Sequence, residues 1–174
     1  MEKEIFELDF IVDSLTNSIR NVVSGDSFTT EVGCLTFSDL EQIINNNTWQ
    51  FNWKTEFDDY SRDVYKLTIL HNPTIIQGLI SLSVRQDHIF MNLLESAHFN
   101  LGKRKIYEGV AGNLVAYACK ESFKQGFDGY VSFTAKTKLI EHYEKTLGAK
   151  HFGNQLMIID TIAAEKLVEH YFKH

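Results

Sequence analysis

A short run of small residues, Ile106-Tyr107-Glu108-Gly109-Val110-Ala111-Gly112-Asn113-Leu114, separates an apolar run with strand character from a run with helical periodicity. The apolar run is Ile89-Phe90-Met91-Asn92-Leu93-Leu94, and the helical run covers residues 113–125. Few backbone paths connect a strand to a helix through such a turn. A chain that enters a helix this way sets several backbone N–H groups side by side, where the helix dipole favours negative charge. A phosphate or diphosphate can sit there without a charged side chain, because no Cβ or long side chain keeps it from the backbone. An ordinary tight turn has the same composition. The run is no Walker loop, since no Gly-Lys-Ser/Thr follows. It also lacks the three spaced glycines, and the acidic residue about 20 positions later, of a dinucleotide fingerprint.

Periodicity supplies the elements on either side. Phe6, Leu8, Phe10 and Val12 alternate with more polar neighbours, which predicts an early strand. Residues 17–26 hold Asn21, Ser24, Gly25 and Asp26 and read as a turn, and 28–35 predict a second strand. Ser38-Asp39-Leu40-Glu41 has the form of a capping box and predicts a helix through Ile44, ended by Asn45-Asn46-Asn47. Residues 49–62 are aromatic and polar by turns and show no period. Three strands are then predicted at 64–70, 75–84 and 88–95, joined by His71-Asn72-Pro73 and Arg85-Gln86-Asp87, the pattern of an antiparallel meander. Beyond the small-residue turn, the pattern predicts a helix over 113–125, a strand over 130–134 and a helix over 137–147 stopped by Gly148. A hairpin around Gly153-Asn154 and a helix over 162–172, with Ile162, Leu167, Val168 and Tyr171 as its apolar stripe, complete the reading.

The chain of 174 residues is long enough to bury one sizeable core, and it carries no repeat, linker or low-complexity run. Its net charge of −6 argues against a general nucleic-acid binder, because phosphate contacts need a basic face. No apolar run has the length to span a bilayer. The first residues, Met1-Glu2-Lys3-Glu4-Ile5, lack the basic-then-apolar pattern of a signal peptide, and Cys34 and Cys119 lie far apart in no motif. A cytoplasmic protein with reduced thiols, and with no nucleic acid or membrane as partner, is the expectation. No metal is expected either: His170 and His174 have i, i+4 spacing, but on a fraying helix end.

The order of elements resembles that of the GNAT (N-acetyltransferase) superfamily, and so do two motifs. Ile106-Tyr107-Glu108-Gly109-Val110-Ala111 is similar to that family's Gln/Arg-x-x-Gly-x-Gly/Ala loop, with Leu114 in its usual apolar place. Leu139-Ile140-Glu141-His142-Tyr143-Glu144-Lys145-Thr146-Leu147-Gly148-Ala149 resembles its Ala-x-x-x-Tyr-Glu-Lys-x-Gly-Phe segment, with one residue added before the glycine. Leu35-Thr36-Phe37-Ser38-Asp39-Leu40 is similar to the opening of many such domains, and Glu95-Ser96-Ala97-His98-Phe99-Asn100 to a Glu-x-x-Pro-x-Asn stretch of one subgroup. Ile106 departs from the loop's Gln/Arg, Ala149 from the closing Phe, and the family's frequent Asn after the next strand is missing at Ala135-Lys136.

The resemblance implies an α/β (α+β) fold: a mixed, mostly antiparallel central sheet flanked by helices, with an acyl-CoA loop between the fourth strand and the following helix. One domain is expected over 1–174, with an N-terminal extension at 1–31, a core at 32–161 and a C-terminal helix at 162–174. The extension would be strands packed on the domain or at an oligomer surface, such as a homodimer. The implied activity is transfer of an acetyl or other short acyl group from acyl-CoA, with acetyl-CoA as co-substrate, directly to an acceptor, an amine by default. Gly109, Val110, Ala111, Gly112, Asn113 and Leu114 would hold the diphosphate, and the backbone of Leu93 and Leu94 the pantetheine arm. Lys103-Arg104-Lys105 could meet its phosphates. Tyr143 is the candidate acid for the leaving thiolate, and Glu95 the candidate base, with His98 second. The alternative is a non-catalytic acyl-CoA-binding or regulatory protein that keeps the fold.

Overall fold

The computed structural model describes residues 5–14 and 16–172. The predicted meander forms from β4 (Asp63–Ile69), β5 (Gly78–Val84) and β6 (Ile89–Ser96), paired antiparallel in that order. Gly78 to Ser83 and nearly all of β6 are buried, so both faces of these strands are covered, and that explains their unbroken apolar runs. On the outer side, β3 (Thr30–Cys34) pairs with β4. On the other side, β8 (Val131–Thr134), β10 (Leu156–Ile159) and β9 (Lys150–His151) complete a seven-stranded sheet of order β3-β4-β5-β6-β8-β10-β9. β6 is fourth across this sheet, and its pairing with β8 is the one parallel strand pair among the described residues. A small second sheet has the order β2-β1-β7, from Ser27–Phe28, Ile19–Asn21 and Tyr107–Glu108.

Helix α3 (Val110–Lys124) packs on β5 and β6, and α5 (Thr161–Phe172) packs on α3. They meet tightly at Gly112, where an added Cβ would lie 1.8 Å from the Tyr171 hydroxyl. The α5 stripe needs a correction: Ile162 is exposed, while the small Ala163, beside Gly148, and Ala164, beside Gly129, are buried with Leu167 and Tyr171. Helix α4 (Ile140–Leu147) follows a 3-10 turn, Thr137–Leu139, and ends at Gly148 with φ +70°.

The N-terminal third departs most from expectation. Helix α1 (Phe37–Asn46) begins two residues earlier than read: Thr36 caps it and Asp39 closes the box, while Asn47 ends it in the left-handed conformation. The unassigned stretch contains α2 (Trp53–Asp58), capped by Asn52. The predicted strand over 28–35 is two strands in different sheets, and β1 lies inside the predicted turn at 17–26. Residues 6–12 form no strand. Leu8 makes a single parallel bridge to Ala135, and the segment is otherwise extended, with Leu8 and Val12 buried. Alternation there reports one-sided burial, without a ladder. No helix among the described residues is long and apolar enough to cross a membrane.

Candidate active-site cleft

β6 and β8 pair only at Ile89 with Val131 and at Phe90 with Ser132. Beyond these two pairs the strands part, and among the described residues the β6 edge from Met91 to Ser96 has no ladder partner on the β8 side. Leu93 and Leu94 lie on this edge, with Ser81 and Ile80 opposite them in β5 on the other side. The opening is a wedge. Its mouth is the small-residue turn, followed by the first turn of α3.

Gly109 is the N-cap of α3, with φ +92°, a conformation that favours glycine. Helix geometry leaves the first backbone N–H groups, those of Gly109, Val110, Ala111 and Gly112, without acceptors inside the helix. The Asn113 N–H is the first with one, the Gly109 carbonyl at 2.9 Å. The other predicted loop residues serve packing. Gly112 admits Tyr171, Val110 and Leu114 pack over Gly78, and Asn113 is buried with Thr30 donating to its side-chain oxygen at 3.3 Å. The Asn113 Nδ2 is buried without a partner. Asn100 staples the loop between β6 and the turn: its amide donates to the Gln77 carbonyl and side chain, and its oxygen accepts from the Tyr107 N–H.

The two candidate proton carriers stand in different surroundings. Tyr143, on α4, is fully buried, with its ring against Phe10 at 4.8 Å and Phe133 at 5.2 Å. Burial pushes its phenol well above the usual range, and its hydroxyl donates to the Phe10 carbonyl at 2.7 Å. Glu95, near the end of β6, is buried and accepts from the Gln50 N–H at 2.7 Å, the Phe51 N–H at 3.2 Å and the Trp53 indole at 2.8 Å. An ionised carboxylate offers about four lone-pair sites, so these donors leave one. His98 is exposed in the loop, beside Phe99.

The occupant of the wedge is the chain's own N-terminal segment. The Ala135 N–H bonds to Gln155 on the β10 side, so the Thr134 carbonyl and the Lys136 N–H point the other way, into the gap. Leu8 takes both: its N–H donates to Thr134 at 2.7 Å and its carbonyl accepts from Lys136 at 3.0 Å. Further on, the Val12 N–H donates to His142 Nε2 at 3.0 Å. That contact needs an unprotonated Nε2, and burial holds His142 below its ordinary pKa of 6.5. Asp13 reaches the helix mouth. One oxygen accepts from the Gly109 N–H at 3.0 Å, and the other meets Lys105 Nζ at 2.9 Å. The Tyr171 hydroxyl donates to the Ser14 carbonyl at 3.0 Å, and Thr16 packs on the bare face of Gly109. Sequence reasoning missed Asp13. It is one of three carboxylates, with Glu7 and Asp9, in an alternating apolar segment, and nothing in the sequence singles it out.

No family model and no curated protein matches this chain. Solved structures do match. A KacTA–DNA complex aligns at a TM-score of 0.56 and 15% identity, covering 80% of this chain and 98% of that one. AtaTR bound with AcCoA aligns at 0.55 and 16%, covering 80% and 98%. The spermidine N-acetyltransferase of Vibrio cholerae, in complex with CoA and spermine, aligns at 0.55 and 15%, covering 79% and 98%. The likeness is one of architecture. This chain has the GNAT fold, with a mostly antiparallel sheet flanked by helices.

Proposed function

We propose that the chain is an acyl-CoA-dependent acyltransferase, with acetyl-CoA as donor and an amine as acceptor. The observation that carries this reading is the wedge between β6 and β8, with the open N-terminus of α3 at its mouth. An extended amide-bearing arm finds unpaired backbone along 91–96 there, and a diphosphate finds N–H groups at Gly109 to Gly112. Structures that share the fold were solved with CoA or AcCoA bound, which supports the same ligand class.

In this proposal the amine nitrogen attacks the thioester carbonyl, the carbon–sulfur bond breaks, and the thiolate takes a proton. A thiol of pKa about 8.5 needs only a modest acid, and the Tyr143 hydroxyl is the donor at that end of the wedge. The amine's proton leaves through a water on the remaining acceptor site of Glu95. Glu95 also holds the turn at 50–53 in place, which fixes one wall of the acceptor side.

A second reading, a GNAT-fold protein that does no chemistry, is favoured by one observation: the Tyr143 hydroxyl is bonded to Phe10 of the same chain. The test is calorimetric titration with acetyl-CoA, using ATP as a control, followed by thiol-release assays over a panel of amines. Tyr143→Phe should abolish most turnover without weakening acetyl-CoA binding. Binding without turnover by the unaltered chain on any amine would favour the second reading, and failure to bind would remove the first.

A further inference from the structure

We propose that residues 8–14 are a built-in competitor for acyl-CoA: the segment closes the wedge in the free protein and must leave before acyl-CoA enters. This rests on the acyl-CoA reading of the wedge and goes beyond it, because it makes the cofactor site conditional.

The segment meets, station by station, the groups that the ligand would use. At the mouth, the Asp13 carboxylate takes the Gly109 N–H and Lys105, an anion on the donors that would receive a diphosphate. Midway, the Val12 N–H and the Phe10 carbonyl engage His142 and Tyr143, side chains at the proposed thioester end. Deepest, the Leu8 backbone bonds to Thr134 and Lys136 in the gap left by the parting strands. Two bodies cannot share these positions.

Charge complementarity supports displacement over permanent structure. Glu7, Asp9 and Asp13 project from one short segment, and they meet Gln155, Lys136 and Lys105 on the rim. An acidic arm on a rim of cations and amides mimics a phosphate-bearing ligand. Among its described residues the segment makes one bridge to the sheet, at Leu8, so it leaves without dismantling a strand pair. Its hold comes from burial of Leu8 and Val12 and from the polar contacts above. Apparent acyl-CoA affinity is then the intrinsic affinity scaled by the fraction of molecules with the segment out.

The test uses the full chain and acetyl-CoA. Titration is run on the unaltered protein, on Asp13→Ala and on Asp9→Ala, each checked for folding by thermal melting. Hydrogen–deuterium exchange over residues 5–18 is followed with and without saturating acetyl-CoA. The expected result is about tenfold tighter binding by Asp13→Ala and a smaller gain by Asp9→Ala, whose pairing with Lys136 is half exposed. Acetyl-CoA should also strip protection from the amides of Leu8 and Val12. If acetyl-CoA binds while those amides stay protected, or if both variants bind no tighter than the unaltered chain, the competitor idea is wrong and the acyl-CoA reading survives. If neither the unaltered chain nor either folded variant binds, the acyl-CoA reading fails, and this proposal with it.

Discussion

Helices α1 and α3 both begin with backbone N–H groups that need partners, and they find them in opposite ways. In α1 the remedy is local: the Thr36 hydroxyl accepts from the Asp39 N–H at 3.1 Å, and the Asp39 carboxylate accepts from the Thr36 N–H at 2.9 Å. In α3 the cap is a glycine with no side chain, and the acceptor is Asp13, 96 residues away in sequence. A helix start that carries its own cap is finished as soon as it forms. One that borrows its acceptor from a distant segment stays open to exchange. The contrast separates an end built for stability from an end built to hold something removable.

The strongest way to break the comparison is at Gly109. Gly109→Val forces a branched residue into a positive φ and drives its Cβ toward Thr16. A loss of about 3 kcal/mol is expected, read from urea denaturation. A loss below about 1 kcal/mol would mean the turn relaxes freely and its shape is not held by the segment. Asp13→Ala should come next, with about 1.5 kcal/mol lost because a charge-assisted bond goes. Here the loss of stability coincides with the gain in acetyl-CoA affinity set out above, and that opposition of sign marks the borrowed cap. Thr36→Ala should cost about 1 kcal/mol and leave acetyl-CoA binding untouched. A change in binding there would erase the distinction between the two ends.

The smallest expected effect is that of acid. Burial depresses the folded-state pKa of His142 below 6.5, so its contribution is complete above the unfolded value and is lost as pH falls through the folded one. Protonated Nε2 cannot accept from Val12, so the segment should loosen on the acid side. The amide exchange protection factor of Val12 should fall between pH 7.5 and pH 5, while that of Asn113 inside α3 holds. Equal behaviour of the two amides would dismiss His142 as a sensor.

The central strands and α3 were legible because their signals are local and long: seven or eight residues of apolar character between sharp turns, then fifteen of helical period. Three features escaped for stated reasons. The α1 box was read at Ser38 with Glu41, since Glu is the usual partner, whereas Asp39 closes the box on Thr36. Helix α2 has six residues, too few to show a period. Residues 6–12 alternate like a strand because they lie against one wall, yet a bridge at Leu8 is all the pairing they have. In the cleft, the small-residue turn could be read because composition alone marks it. Its acceptor could not be, since nothing near Asp13 in sequence points to a helix 96 residues on. The partners of Glu95 were hidden in the same way, all three lying in the stretch that showed no period.

Trp53 gives the molecule an optical gauge of the surroundings of Glu95. The chain has two tryptophans, Trp49 and Trp53, both beside the turn that Glu95 grips. The Trp53 indole N–H is bonded to the carboxylate itself, in a fully buried setting. Whatever changes the charge, hydration or position of that carboxylate therefore shifts the emission colour of a built-in fluorophore. Small molecules that reach this corner can be screened by light alone, with no label and no turnover.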